Sequence, residues 1–201
     1  EFTADKGYSC LTINMRGAGN KKFFLNTTVV QDKIVACELL GSLAVALREA
    51  YAPFVGMTAD VLLPLCTNTQ NPRVRVAAVT ALPALLDSAK VNAANEAVLL
   101  SFWNQCLQAL QLEVWVEKEL PSGLGPLLLS VASCIDVLPC ALPAEHVPLL
   151  AKAVVTALDL SFERRRSMEE EVEQADEEAV EDRIEAMQQE NQVLEAVSAL
   201  S

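Results

Sequence analysis

The sequence predicts an all-α protein, an α-solenoid of antiparallel helix pairs, with a short β-hairpin at its N-terminus. Of the 201 residues, 52% are hydrophobic but only 5% are aromatic, so the apolar mass is Leu, Val and Ala, which suits helices packed on helices. Apolar residues recur at spacings of three and four along most of the chain. Proline-containing breaks return at roughly the interval of a two-helix repeat.

The N-terminal region, residues 1–26, has a different pattern. Residues 8–15 alternate with period two, 17–20 (Gly-Ala-Gly-Asn) are a turn signal, and 21–25 supply a returning strand. This pattern predicts the hairpin. Because an isolated hairpin is marginally stable, it needs a surface on which to pack.

The first helix pair is predicted over about 28–49 and 52–66, after the N-cap residues Asn26, Thr27 and Thr28. The three/four spacing assigns an apolar face to each helix. On the first helix this face comprises Val30, Ile34, Cys37, Leu40, Leu43, Ala44 and Leu47; on the second it comprises Phe54, Val55, Val61, Leu62 and Leu65.

Five further helices follow. They are expected at about 72–89, bent at Pro83, at 95–112 with an extension toward 118, at 123–138, from about 144 past 162, and at 177–200. The helices predicted to open each pair begin near 28, 72, 122 and 177. We therefore divide the chain into repeats at 27–70, 71–119 and 120–167, followed by 168–201, which holds an acidic segment and the first helix of a further repeat.

The segment 71–78, Asn-Pro-Arg-Val-Arg-Val-Ala-Ala, resembles the signature of HEAT repeats. In that signature a polar turn with proline precedes Val-Arg and small apolar residues. The resemblance implies that the valine anchors the helix in the core and that the arginine reaches toward a neighbouring repeat. Asn71 occupies a position where an Asp is common, which leaves open whether an ion pair forms there.

A longer set of stretches resembles the karyopherin-beta (importin-beta) nuclear transport receptors, and most closely the importin beta-3 branch. These stretches are 31–40 (QDKIVACELL), 51–55 (YAPFV), 61–65 (VLLPL) and 74–78 (VRVAA). The resemblance implies nuclear import of cargo proteins that carry basic nuclear-localisation segments, by a receptor that shuttles between cytoplasm and nucleus. The alternative is a HEAT-repeat scaffold subunit of a cytosolic complex, of phosphatase-regulatory or assembly type.

The same resemblance implies two further partners. Inner helices of the family bind the GTPase Ran, and shallow apolar pockets between outer helices bind the Phe-Gly repeats of nucleoporins. Ran's main site lies in the first repeats of the receptor. Both partners are therefore expected to act through a full-length receptor.

Most of the net charge of −12 lies in one segment. Residues 168–190 hold eleven acids against one base, Arg183. Such a block is either a solvated, repelling stretch or a site for a basic protein segment, and Arg164, Arg165 and Arg166 could pair with its acids at i,i+4 spacing. The candidate partner-binding acids are Glu169, Glu170, Glu171, Glu173, Asp176, Glu177 and Glu178.

The fourth helix carries a second candidate surface. Trp103, Gln108 and Gln111 lie on what should be an inner helix, where aromatic and amide side chains suit binding of an extended peptide. The alternative is that the tryptophan packs between repeats.

The sequence contains no recognisable motif for catalysis, cofactor binding or metal binding. His146 is the single histidine, there is no Cys-x-x-Cys pair, and no phosphate-binding glycine loop is present. We expect no enzyme, cofactor or metal, and cysteines that act as small buried hydrophobes in a reducing compartment.

The remaining partner classes follow from charge and hydropathy. No apolar run is long enough to span a membrane, and the acidity disfavours nucleic acid. Because the chain begins at Glu1 and stops within a helical pattern, we expect a piece of a longer protein.

Overall fold

A computed structural model describes residues 27–67, 71–92, 96–138, 142–170 and 177–200. The predicted hairpin lies outside these residues. In chain order the α-helices are α1 (Thr27–Leu47), α2 (Val55–Cys66), α3 (Pro72–Asn92), α4 (Glu96–Leu110), α5 (Leu112–Lys118), α6 (Pro121–Val137), α7 (Val147–Glu170) and α8 (Glu177–Leu200), and a 3-10 helix (Arg48–Phe54) joins α1 to α2.

The helices stack in two layers. In the first layer α1 packs on α3, α3 on α6, and α6 on α8. In the second layer α2 packs on α4, and α5 packs on α7. Each helix pair therefore packs on the next pair in a single row. The predicted all-α solenoid is confirmed over the described residues.

Two of the predicted helices break at residues with left-handed backbone conformation. Arg48 (φ 47°) ends α1, and Gln111 (φ 43°) separates α4 from α5. Residues other than glycine adopt this region at a cost of about 1 kcal/mol. The prediction of one continuous helix from 95 to 112 or beyond was therefore wrong at Gln111, because hydrophobic periodicity does not report the backbone dihedral of a single exposed residue.

In the first layer, α1 and α3 approach each other closely. A Cβ added to Gly41 on α1 would lie 3.0 Å from the Cβ of Ala81 on α3. Near the other end of the same contact, the Ser88 hydroxyl donates to the carbonyl oxygen of Ala44 at 3.5 Å. The small residues at this crossing let the two helices touch along their length.

The arginine of the HEAT signature, Arg75, is buried, and its ion-pair partner lies at the end of the same predicted repeat, 71–119. Arg75 on α3 forms a buried ion pair with Glu119, 44 residues further along the chain in the connector before α6. Its guanidinium also lies 3.8 Å from the ring centroid of Trp115, a cation–π distance. Asn71 instead caps α3, since its Oδ1 accepts from the backbone N–H groups of Arg73 and Val74.

Glycine makes room for the buried carboxylate. A Cβ at Gly123 would fall 2.8 Å from the Glu119 side chain. Burying a charge is costly unless it is paired and hydrogen-bonded, and Arg75 supplies both. The second helix pair is thereby tied to the start of the third.

The buried faces are narrower than the apolar faces that the periodicity predicts. In the first pair Ile34, Cys37, Ala44, Val55 and Leu62 are buried as expected. However, Leu43, Leu47, Phe54 and Val61 are exposed. The predicted core was wrong at these four positions, because their side chains line a surface groove between α1, the 3-10 helix and α2.

Replacing Arg75 by methionine should lower the free energy of unfolding by about 3–5 kcal/mol, because Glu119 would stay buried without its cation. Urea denaturation measures the loss. Arg73→Met is the matched control: Arg73 is exposed two residues away, so its replacement should change stability by less than about 0.5 kcal/mol. Equal effects of the two substitutions would contradict a stabilising role for the ion pair.

Candidate functional site

The acidic segment joins α7 to α8. The backbones of Glu169 and Glu170 form the end of α7, and those of Glu177 and Glu178 form the start of α8. Carboxylates at a helix N-terminus are favourable, whereas those at a C-terminus face the negative end of the helix dipole. The other three predicted acids, Glu171, Glu173 and Asp176, lie outside the described residues.

The two helices that flank this segment are fastened to each other. Arg164 on α7 forms an ion pair with the fully buried Glu190 on α8. Arg165 donates to Oδ1 of Asn191 at 2.7 Å. Arg183 of α8 donates to the carbonyl oxygen of Met168 at 2.6 Å, next to the end of α7. The acidic segment therefore connects two helices, α7 and α8, that are hydrogen-bonded to each other.

These contacts concern the alternative in which Arg164, Arg165 and Arg166 neutralise acids of the same chain. Arg164 and Arg165 make hydrogen bonds to residues 26 positions further along the chain, and one of these, Glu190, is itself an acid of the 168–190 block. Two of the three arginines before the segment are thus committed to holding α8. The Arg164–Glu190 pair is partly buried, whereas the Arg165–Asn191 bond lies at the surface.

Trp103 is not at the surface. Its side chain is fully buried, and its indole Nε1–H donates to Nδ1 of His146 at 3.2 Å, 43 residues along the chain. The two rings meet edge to face at a centroid distance of 6.3 Å. The structure therefore places Trp103 at the joint between the second and third pairs, as the packing alternative describes.

Gln108 and Gln111 are both exposed in the second layer. Gln108 lies in the body of α4, and Gln111 occupies the left-handed break before α5. These two amides remain accessible to a partner. The three residues predicted together on this helix are thus divided between one buried joint and two surface positions.

The first layer carries grooves that the periodicity did not identify. One, of about 530 Å³, lies between α3, α6 and α8, where Pro83, Pro126 and Leu129 form an apolar wall beside Gln192 and Glu195. A second, of about 330 Å³, opens beside Leu120 above the Arg75–Glu119 pair. Small residues at first-layer helix crossings were the sequence signal that could have indicated such grooves.

The described cysteines fit the prediction of buried hydrophobes. Cys37, Cys66, Cys106 and Cys134 are buried free thiols. Burial raises the pKa of Cys66 and of Cys134 to about 12, and it also raises the pKa of Cys37 and Cys106. Such thiols are poor nucleophiles, because the thiolate is the reactive form.

Neither a membrane-spanning helix nor a metal-binding group of side chains occurs in the described part of the chain. None of its helices is both long and apolar enough to cross a bilayer. Its His, Cys, Asp and Glu side chains form no group of three that could hold a metal ion.

The fold is similar to that of a karyopherin. In the crystal structure of the karyopherin Kap121p bound to the SUMO protease Ulp1p, the similar region matches 98% of this chain with a TM-score of 0.69 and 24% sequence identity. The chain spans 19% of that karyopherin's length. No protein-family model matches the sequence. The likeness establishes a karyopherin-like α-solenoid.

Replacing Gln111 by glycine should raise the free energy of unfolding by about 0.5–1 kcal/mol, because glycine adopts positive φ without steric cost. Gln108→Gly is the matched control on the same exposed surface. It should lower stability by about 1 kcal/mol, since glycine is unfavourable within a helix. Thermal unfolding measures both, and two changes of the same sign would contradict the left-handed assignment at Gln111.

Proposed function

We propose that this chain is part of a karyopherin-beta nuclear transport receptor and binds cargo proteins that carry basic segments during nuclear import. The likeness to the Kap121p solenoid over 98% of the chain carries the proposal. That karyopherin was solved with a bound protein, and a stack of helix pairs offers the extended surface that such binding needs. The finer assignment to the importin beta-3 branch rests on the four sequence stretches, and the role is one of binding, without catalysis.

The acidic segment is the proposed site for the basic cargo. Its charge is concentrated, since residues 168–189 sum to −9, while the next acid, Glu190, is buried and paired with Arg164. Lysine and arginine side chains of a partner form charge-assisted hydrogen bonds with clustered carboxylates. Gln108 and Gln111 offer neutral hydrogen-bonding groups for the same or another extended peptide.

The groove between α3, α6 and α8 is the proposed contact for Phe-Gly nucleoporins. It opens between first-layer helices, is mainly apolar, and has room for an aromatic ring. Ran is proposed to act through the full-length receptor. Together these partners imply a protein that shuttles between cytoplasm and nucleus.

The alternative is a HEAT-repeat scaffold of a cytosolic complex, because the solenoid fold serves both roles. Ran separates the two. A full-length parent that binds Ran loaded with GTP and also binds Phe-Gly peptides supports the transport receptor. A full-length parent that binds neither Ran-GTP nor Phe-Gly peptides supports the alternative, a HEAT-repeat scaffold of a cytosolic complex.

Replacing Glu169, Glu170 and Glu171 together by glutamine should weaken binding of a lysine-rich peptide. Each exposed ion pair contributes about 0.2–1 kcal/mol, so the dissociation constant should rise roughly 3-fold to 100-fold. Fluorescence anisotropy measures it, and raising the salt concentration should weaken the unaltered chain in the same direction.

The matched control replaces Glu38, Glu49 and Glu117, which are exposed glutamates outside the segment, by glutamine. It changes the net charge by the same amount and should leave affinity nearly unchanged. An equal loss in both triple variants would reduce the effect to net charge, and no loss in either would remove the acidic segment as the cargo site.

Replacing Leu129 by serine should weaken binding of a Phe-Gly peptide roughly 3-fold to 10-fold, because part of a leucine side chain would no longer be buried by the ligand. Titration followed by NMR measures this affinity. Val155→Ser, at an exposed position on α7 in the second layer, is the control and should bind as the unaltered chain does. Equal binding by all three proteins would place the Phe-Gly contact elsewhere.

A further inference from the structure

A serine on α7 lies between a basic run and an acidic run of the sequence. Residues 164–171 read Arg-Arg-Arg-Ser-Met-Glu-Glu-Glu, so that Ser167 follows three arginines and Glu170 stands three positions after it. Protein kinases select the serines that they modify by such charge patterns. Arginine-directed kinases read bases before the serine, and acid-directed kinases read acids after it. The pattern therefore marks Ser167 as a candidate for modification, and the structure distinguishes the two classes.

The hydroxyl of Ser167 is accessible in the folded chain. Ser167 is exposed in the last turn of α7, three residues before the final residue of that helix. Its hydroxyl donates to the carbonyl oxygen of Glu163 at 3.1 Å, and this bond lies at the surface, where water competes for both groups. Because the end of a helix frays, this turn is able to open and present the hydroxyl to a kinase.

The contacts between α7 and α8 favour one class of kinase. Arg164 pairs with Glu190, whose side chain is fully buried, and Arg165 donates to Asn191 at 2.7 Å. An arginine-directed kinase that reads the second and third positions before Ser167 would have to break both contacts. An acid-directed kinase reads the residues after Ser167 and leaves both contacts in place. The folded chain therefore suits the acid-directed class.

We propose that an acid-directed protein kinase phosphorylates Ser167 and that the phosphate strengthens the acidic segment as a site for basic cargo. The second part rests on the cargo role proposed above. In the transfer, the Ser167 oxygen attacks the γ-phosphorus of a nucleoside triphosphate. A bond forms between that oxygen and the phosphorus, the bond from the phosphorus to the β,γ-bridging oxygen breaks, and the nucleoside diphosphate leaves. The hydroxyl proton passes to a carboxylate of the kinase.

The phosphate changes the end of α7 in two ways. It adds a charge of about −1.5 to −2 at neutral pH beside residues 168–189, which already sum to −9. It also places a dianion in the last turn of a helix, at the negative end of the helix dipole, which is unfavourable. We therefore expect residues 167–170 to leave the helix. The contacts of Arg164 and Arg165 with α8 stop the unwinding there.

Treatment of the full 201-residue chain with ATP and either class of kinase, followed by peptide mapping in a mass spectrometer, tests the site. Each rate is divided by that for a peptide of residues 160–174, and this ratio should be higher for the acid-directed kinase. Ser167→Ala should abolish the modification. Ser101, which is exposed on α4 and has no charged residue within three positions, should stay unmodified. A higher ratio for the arginine-directed kinase would overturn the assigned class, and no phosphate at Ser167 with either kinase would overturn the site.

Hydrogen exchange and peptide binding test the consequence in the phosphorylated chain. The amides of residues 168–170 should exchange at least roughly tenfold faster than in the unmodified chain, while those of 150–163 and 184–198 keep their protection. The dissociation constant for a lysine-rich peptide should fall roughly 2-fold to 10-fold, because the phosphate adds exposed ion pairs. Kinase-treated Ser167→Ala is the control and should show neither change.

The two readouts separate the possible failures. Unchanged exchange at 168–170 would overturn the unwinding, and equal peptide affinity of the two forms would overturn the strengthening of the cargo site. A lysine-rich peptide that binds neither form would contradict the cargo role itself together with its regulation. In that case phosphate found on Ser167 would still establish the modification site.

Discussion

The structure depends on a constraint that every helix pair shares: two helices alone cannot bury all of their apolar surface, so each pair needs its neighbours. The central helix α3 shows this most fully. It packs on α1 where Gly41 and Ala81 approach closely, and on α6 beyond. Near the second contact the buried Arg75 forms an ion pair with Glu119, in the connector before α6. Burial of apolar surface between the helices stabilises the stack, and removal of either partner of the buried ion pair would leave an uncompensated charge.

Three hydrogen bonds between side chains or backbone of the described residues join positions 43 or 44 apart in the chain. Arg75 bonds to Glu119 and Ser88 to Ala44 across 44 residues, and Trp103 bonds to His146 across 43. The first layer and the second layer each contain such links. These contacts join the stack across its pairs without any sheet or metal in the described residues.

Most of the helices could be predicted from the sequence, because the three/four spacing and the prolines mark faces and starts directly. The partner of the arginine in the HEAT signature could not be predicted, since Glu119 lies in a connector where no period operates. The break at Gln111 escaped for a similar reason: one exposed residue with positive φ leaves no trace in hydropathy.

Exposure of predicted core residues was the second type of difference. Periodicity shows that Leu43, Phe54 and Val61 are apolar and share a face, but it does not show whether a neighbour covers that face. Trp103 illustrates the converse, because a tryptophan near amides fits either a binding surface or a buried joint, and only its contact with His146 distinguishes them. Of the candidate acids, the structure fixes the helix ends that carry Glu169, Glu170, Glu177 and Glu178, while the cargo site itself remains a proposal.

The acidic segment and the first-layer grooves suit different kinds of ligand. The backbone of Glu169 and Glu170 lies at the end of α7 and that of Glu177 and Glu178 at the start of α8, while the first-layer groove beside Leu129 is mainly apolar. The first suits long, flexible cations, whose attraction to it reaches over about a Debye length of 8–10 Å in physiological salt. The second suits isolated rings that bind weakly and release quickly. The proposed transport role requires both kinds of contact, one for cargo and one for passage.

The proposed cargo role has a direct physical test in zero-length cross-linking of a lysine-rich peptide to the full chain with a carbodiimide. This chemistry joins an amine to a carboxylate only when the two are in contact. If cargo binds as proposed, the cross-links will fall between residues 169 and 178. Cross-links spread evenly over the acids of the chain, or concentrated at Glu38, Glu49 and Asp60, would contradict the proposed role of the acidic segment.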